Sequence, residues 1–104
     1  VIRAGVGNTV RMIPIEEVLY FDASDKYVGV VTAQGESLIR TPLRELLAGL
    51  DPAEFWQIHR GSIVRVSAIA SAERDDAGRI RLSLRGSSKK LPVSRQFAHL
   101  FKQM

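Results

Sequence analysis

The chain has 104 residues, a formal net charge of +4 and no cysteine. That length bounds it to one domain, 1–104, with a modest core of its own. The missing cysteines exclude disulfides, thiolate zinc sites and a cysteine nucleophile, and they fit a reducing cytoplasm.

Taken in chain order, Val10-Arg11-Met12-Ile13-Pro14 alternates apolar and polar residues, the period of a half-buried strand that Pro14 ends or places at an edge. Ile15-Glu16-Glu17 is a polar break. Val18-Leu19-Tyr20-Phe21 is a continuous apolar run that reads as a buried strand. Asp22 to Lys26 is turn-forming. Tyr27 to Thr32 is β-branched and aromatic, a strand, and Ala33-Gln34-Gly35-Glu36 turns it back into Ser37 to Arg40. Thr41 as N-cap and Pro42 at the first helical position open a helix whose Leu43, Leu46, Leu47 and Leu50 share one face. Asp51-Pro52-Ala53-Glu54 has the spacing of a capping box for one more short turn.

Phe55 and Trp56 follow as anchors, and a strand through Gln57 and Ile58 leads into a loop at Arg60. Val64 to Glu73 reads as mostly β, and Asp75 to Gly78 as a turn. Arg79 to Arg85 alternates without a miss. Gly86-Ser87-Ser88 turns it into Lys89 to Val93. Ser94 caps a final helix with Phe97, Leu100, Phe101 and Met104 on one side. The whole is one mainly-β domain with roughly seven or eight strands and two or three short helices.

Charge is unevenly placed. Residues 1–54 carry five basic and eight acidic side chains, and residues 55–104 carry ten basic and three acidic ones. Such a skew, with a pI near 10.0, points to a polyanion partner, nucleic acid above all. No apolar stretch approaches the roughly 18–20 residues of a membrane-spanning helix. Val1 to Val10 has no apolar signal core. The chain opens on Val1 rather than Met, so it reads as a piece of a longer protein whose other domains are out of view.

Catalysis finds little support. His59 and Ser62 are three apart, but a base and a nucleophile also need an orienting acid and an oxyanion hole. His59 and His99 are isolated, with no carboxylate cluster to complete a metal site, and no cofactor motif is present. The informative segments are two apolar runs that each end in arginine beside serine: Phe55 to Val64, with His59-Arg60-Gly61-Ser62, and Leu91-Pro92-Val93-Ser94-Arg95. Arginine offers a rigid fork of donors suited to a phosphate or to guanine O6/N7. Gly61 permits close backbone approach. Ser94-Arg95 sits at a helix start, where free amides favour an anion. Lys89 and Lys90 add compact positive charge in the preceding turn. Ser24-Asp25-Lys26-Tyr27 presents a cation and an aromatic, with Tyr27 readable equally as packing or as contact. His59 reads as a structural hydrogen-bonding group or as a phosphate contact. Neither helix has a basic face, so the chain is not a helix-turn-helix protein. An RNA-binding or protein-interaction β module stays open as the alternative to duplex DNA.

With these residues assembled, the chain resembles the LytTR family of DNA-binding domains. The resemblance rests on Val18-Leu19-Tyr20-Phe21 with Lys26-Tyr27-Val28, on Thr41-Pro42-Leu43-Arg44-Glu45-Leu46, on Phe55 to Arg60 with Ile63-Val64, and on Leu91 to Arg95. It covers about Val10 to Met104. It implies an elongated stack of small β-sheets, a β-β-β sandwich with short helices. It also implies loops that enter successive major grooves of promoter direct repeats, as the C-terminal output domain of a bacterial two-component response regulator with an N-terminal receiver or sensor domain. By position, the family's base-reading loops fall on Lys26-Tyr27-Val28, Arg60 and Arg95. Ser62, Lys89, Lys90 and the backbone near Ser94 would meet phosphates. The segment Gly61-Ser62-Ile63-Val64-Arg65 departs from the family pattern, which has a bulky residue after the small hydroxyl and Asn after the Ile-Val pair. Arg65 is an added positive charge there, touching phosphate or nothing.

Overall fold

The structure, a computed structural model, describes residues 1–104. Three antiparallel sheets lie one on another along a body 48 × 24 × 24 Å in extent. The first is a hairpin of β1 (Ile2–Val6) and β2 (Thr9–Ile13). The second and largest is five-stranded, built from β3 (Tyr20–Ala23), β4 (Val28–Thr32), β5 (Gly35–Ile39), β6 (Phe55–His59) and β7 (Ser62–Arg65) in the order β5-β4-β3-β7-β6. The third holds β8 (Ile69–Arg74), β9 (Ile80–Leu84) and β10 (Leu91–Val93) in the order β10-β9-β8. The mainly-β stack implied by the family resemblance is the observed architecture.

The central sheet is buried on both faces, and its sequence shows why. Successive side chains on a strand point to opposite faces. Phe21 and Ile63 face one way, into a core with Ala4, Ile13, Val18, Val28, Val30, Ile39 and Phe55. Tyr20 and Val64 face the other way, into a core with Ile58, Ile80, Leu82, Leu84 and Leu91. An unbroken apolar run is what a strand with two covered faces requires. The first core is closed by the N-terminal hairpin and by α1 (Leu43–Gly49), whose Leu43, Leu46 and Leu47, with Leu50 just beyond it, pack on it as their spacing predicts. The second is closed by the third sheet and by a C-terminal 3-10 helix, Arg95–Phe101. Along β6 the same alternation sends Phe55 into the first core and Trp56 and Ile58 into the second, and a bulge between Gln57 and His59 follows just before the loop.

Several local expectations need correction. Val10 to Ile13 has a partner strand upstream: Gly7, at φ 60, lets the chain reverse into β1, a strand absent from the expected set. The apolar run Val18 to Phe21 enters the sheet only at Tyr20, and β3 continues through Ala23, so Asp22 is a strand residue and not part of the turn. Pro42, not Thr41, occupies the N-cap of α1, in extended conformation and with no side-chain cap bond. Glu54 does not close a capping box. Its carboxylate pairs with Arg65, while the Asp51 carboxylate accepts the Ala53 amide at 2.9 Å. Val64 to Glu73 is divided by a 3-10 turn at Val66–Ala68. The final helix is 3-10 rather than α, and Met104 lies beyond it, fully exposed. The helix is held by the edge-to-face packing of Trp56 on Phe101, with ring centroids 5.8 Å apart.

Candidate nucleic-acid interface

Three cations, Lys26, Arg60 and Arg95, are exposed and make no ion pair or side-chain hydrogen bond within the chain. Lys26 and Arg60 sit on connections between strands of the central sheet, and Arg95 opens the C-terminal 3-10 helix. Lys26 lies in the β3–β4 loop, where the Ser24 amide and hydroxyl both donate to the Tyr27 carbonyl, at 2.8 and 3.1 Å. Ser24 is thus a turn lock. Tyr27 is half-buried, with the Arg40 guanidinium 5.8 Å from its ring centroid, so packing occupies the face of the ring.

Arg60 tops the β6–β7 loop. The Gly61 amide donates to His59 Nδ1 at 3.1 Å, which makes His59 an internal brace of that loop. Gly61 has no left-handed φ, and a Cβ there would meet its nearest atoms at 3.7 Å, an ordinary contact. Its backbone therefore does not demand glycine. Its carbonyl accepts the Ala23 amide at 2.7 Å and so staples the Arg60 loop to the Lys26 loop.

Ser62 is buried, and its hydroxyl donates to Asp22 Oδ1 at 3.2 Å. It holds β7 to β3. The other carboxylate oxygen of Asp22 faces Lys89 Nζ at 3.8 Å, and Lys90 faces Glu73 at 3.7 Å. All four of these side chains are substantially exposed, and such pairs are screened and worth at most about 1 kcal/mol, so a duplex phosphate can compete for either lysine. Asp22 is the residue that sequence reasoning missed. It joins β3, β7 and the β9–β10 loop, and the alternation of Tyr20 with Asp22 on one strand face was its only sequence signal. The Ser94 amide donates to the Ile58 carbonyl at 2.9 Å, so the base of the Arg95 helix is tied to the strand that leads to Arg60. Ser94 is the N-cap by position, yet its hydroxyl makes no cap bond.

Arg65 has a different fate from Arg60. It is 9% exposed, its Nε donates to the Val18 carbonyl at 2.8 Å, another guanidinium nitrogen donates to the Ile15 carbonyl, and its plane covers Phe55 at 4.5 Å. The expectation that it touches phosphate or nothing is corrected: it is a bracket inside the core. Arg85 is likewise committed, donating to the Ser67 and Ile69 carbonyls at 3.1 and 2.7 Å. No group of three or more His, Cys, Asp or Glu side chains is arranged to hold a metal, and no helix is long and apolar enough to cross a membrane.

Comparison with known proteins agrees with this architecture. An uncharacterized response regulatory protein of Vibrio cholerae is 41% identical over 97% of the chain. The positive alginate biosynthesis regulatory protein of Pseudomonas aeruginosa is 36% identical over 91%, and a CO-responsive transcriptional regulator of Rhodospirillum rubrum is 30% identical over 88%. The chain spans only 40%, 38% and 39% of the length of these three relatives. In fold it is similar to a response-regulator LytTr DNA-binding domain from Bacillus cereus, with a TM-score of 0.85, 24% identity, and 95% of this chain and 90% of that one covered. The family description "LytTr DNA-binding domain" matches residues 8–104, and the chain belongs to that family of DNA-binding domains.

Proposed function

We propose that this domain reads double-stranded DNA sequence-specifically through its loops in the major groove, as the output module of a longer transcriptional regulator. The observation that carries this reading is the linkage of the cationic loops. Backbone bonds join the Lys26 and Arg60 loops, Asp22 joins both to Lys89, and the Ser94 amide ties the Arg95 segment to β6. Rigid mounting spares the duplex the cost of ordering those loops. Arg60 and Arg95 are the base readers, with Lys26 as a third probe. Lys89, Lys90 and amides near Ser94 meet phosphates. Ser24, His59, Gly61 and Ser62 hold the loops in place, and Tyr27 packs against Arg40.

The long dimension of 48 Å exceeds the roughly 34–36 Å of one duplex turn, so one molecule is long enough to reach two successive major grooves on one side. Binding of promoter direct repeats by two copies belongs to the same proposal. The relatives are regulators by name and more than twice as long, which supports an N-terminal receiver or sensor domain on this protein and a cytoplasmic setting. An RNA-binding β module needs exposed aromatics for stacking. Tyr20, Phe21 and Phe55 are buried, and no aromatic is among the exposed large hydrophobics.

The test is in vitro selection of bound duplexes, followed by titration of Arg60→Ala and Arg95→Ala on the selected and a scrambled duplex. Each substitution is expected to cost about 1–3 kcal/mol on the selected duplex and little on the scrambled one. Equal losses on both would make these arginines phosphate clamps. Preferred binding of single-stranded RNA would end the reading.

A further inference from the structure

A second basic feature lies outside the three loops. Arg74 and Arg79, on the hairpin between β8 and β9, line a cleft of about 460 Å³ together with Arg95, over an apolar floor of Ile80, Val93 and Ala98. No carboxylate lines this cleft. None of the three arginines takes part in the chain's ion pairs, which use Arg65, Lys89 and Lys90. Arg74 spends one weak bond on the Gly78 carbonyl, at 3.3 Å, and its other donors are free.

The neighbouring acids are occupied. The Asp75 carboxylate accepts the amides of Ala77 and Arg79 at 2.9 Å each, and those bonds, the Arg79 amide first, hold it below its ordinary range and turned into its own turn. Glu73 faces Lys90. With three guanidiniums and no carboxylate in its own lining the cleft is cationic, while Glu73 and Asp75 lie in the adjoining groove with Arg74, Arg79, Arg81 and Lys90. Guanidinium forks match phosphate oxygens bidentately, and an apolar floor seats a sugar.

We infer that the β8–β9 hairpin is a further contact with the duplex, in which Arg74 and Arg79 clamp a backbone phosphate beside the base pair that Arg95 reads. This rests on the duplex-reading function proposed above. It assigns two residues that neither the apolar-run motifs nor the loop geometry singled out.

The experiment measures salt-dependent binding by fluorescence anisotropy, on a duplex selected with the wild-type domain and on a scrambled duplex of equal length. Arg74→Gln/Arg79→Gln is compared with Arg74→Lys/Arg79→Lys and with Arg81→Gln, an exposed arginine of the same hairpin that does not line the cleft. The Gln pair should make the slope of log K against log[salt] shallower by about 0.9 on both duplexes, the contribution of the one phosphate charge that is no longer neutralised. The Lys pair should restore it, Arg81→Gln should leave it unchanged, and thermal melting should show all variants folded. An unchanged slope in the Gln pair, a loss confined to the selected duplex, or an equal fall in Arg81→Gln would overturn the clamp and leave the duplex-reading function standing. Absence of duplex binding by the wild-type domain would overturn both.

Discussion

At the scale of single residues, Arg60 and Arg65 show how little an arginine's local context says about its job. They lie five apart around one strand, both beside small or β-branched neighbours. Arg60 projects from a loop without a partner, whereas Arg65 donates to the carbonyls of Val18 and Ile15 and lies over Phe55. Arg65→Ala removes both bonds and uncovers the ring. A loss of about 1.5–3 kcal/mol in urea unfolding is expected, the range for hydrogen bonds to a charged group; an unchanged midpoint would show the bracket to be idle.

Asp22 is the carboxylate that pairs with Lys89 beside the proposed DNA-contacting loops, so its removal should act in the opposite direction. Asp22→Asn keeps an oxygen for the Ser62 hydroxyl and frees Lys89. Tighter binding to selected and scrambled duplex alike is expected at low salt; weaker binding would mean that the carboxylate itself contacts DNA. Tyr20 links the stability of the fold to alkaline pH. Burial first, then the nearby charges of Asp22 and Glu36, raise its phenol above the ordinary 10.0. A group favoured in its protonated form by folding gives its full contribution below the unfolded value and loses it as pH rises through the folded one. Stability should therefore fall above about pH 10, and Tyr20→Phe, which keeps the ring, should flatten that fall. Parallel pH profiles of the two proteins in urea would refute this.

At the scale of elements, the C-terminal helix shows Arg95 mounted by ring packing and one backbone hydrogen bond rather than by a side-chain cap. Its N-cap hydroxyl is free, it is 3-10 from end to end, and it is fastened by Phe101 against Trp56 and by the Ser94 amide on β6. Phe101→Ala should cost less than the roughly 3–5 kcal/mol of a fully buried phenylalanine, since Phe101 is half-buried. It should also weaken binding to the selected duplex more than to the scrambled one, with an unchanged salt slope, because it loosens Arg95 and removes no charge. A slope change would show that the helix contributes phosphate contacts of its own. The β8–β9 turn is the opposite case. Gly78, at φ 83, and the Asp75 carboxylate lock a tight reversal, and this rigidity is what lets Arg74 and Arg79 share a cleft.

At the scale of the whole molecule, stacking three thin sheets produces a body twice as long as it is wide, with cations concentrated in the second half of the chain. Five loop cations set against the duplex, Lys26, Arg60, Lys89, Lys90 and Arg95, give an expected slope of log K against log[salt] of about −4.5, and the phosphate clamped by Arg74 and Arg79 takes it to about −5.4. Titration between low and physiological salt measures it. A slope shallower than about −2 would remove the assignment of these groups to phosphates and bases.

Much of this was legible in the chain itself. Alternation in Arg79 to Arg85, apolar continuity in Val28 to Val31, the leucine spacing of α1 and the turn chemistry of Asp75 to Gly78 are local signals, set by side-chain direction and by backbone preferences within a few residues. They determined the class of the fold, most of its elements and the arginines at the ends of its apolar runs. The tertiary structure alone decided which polar groups are spent inside. Ser62 meets Asp22 forty positions away, and Arg65 meets carbonyls 47 and 50 positions away. Strand pairing between distant segments creates those neighbours, and no periodicity carries that information. The cleft beside Arg95 arises in the same way, from a hairpin and a helix that meet only after the third sheet has closed on the second.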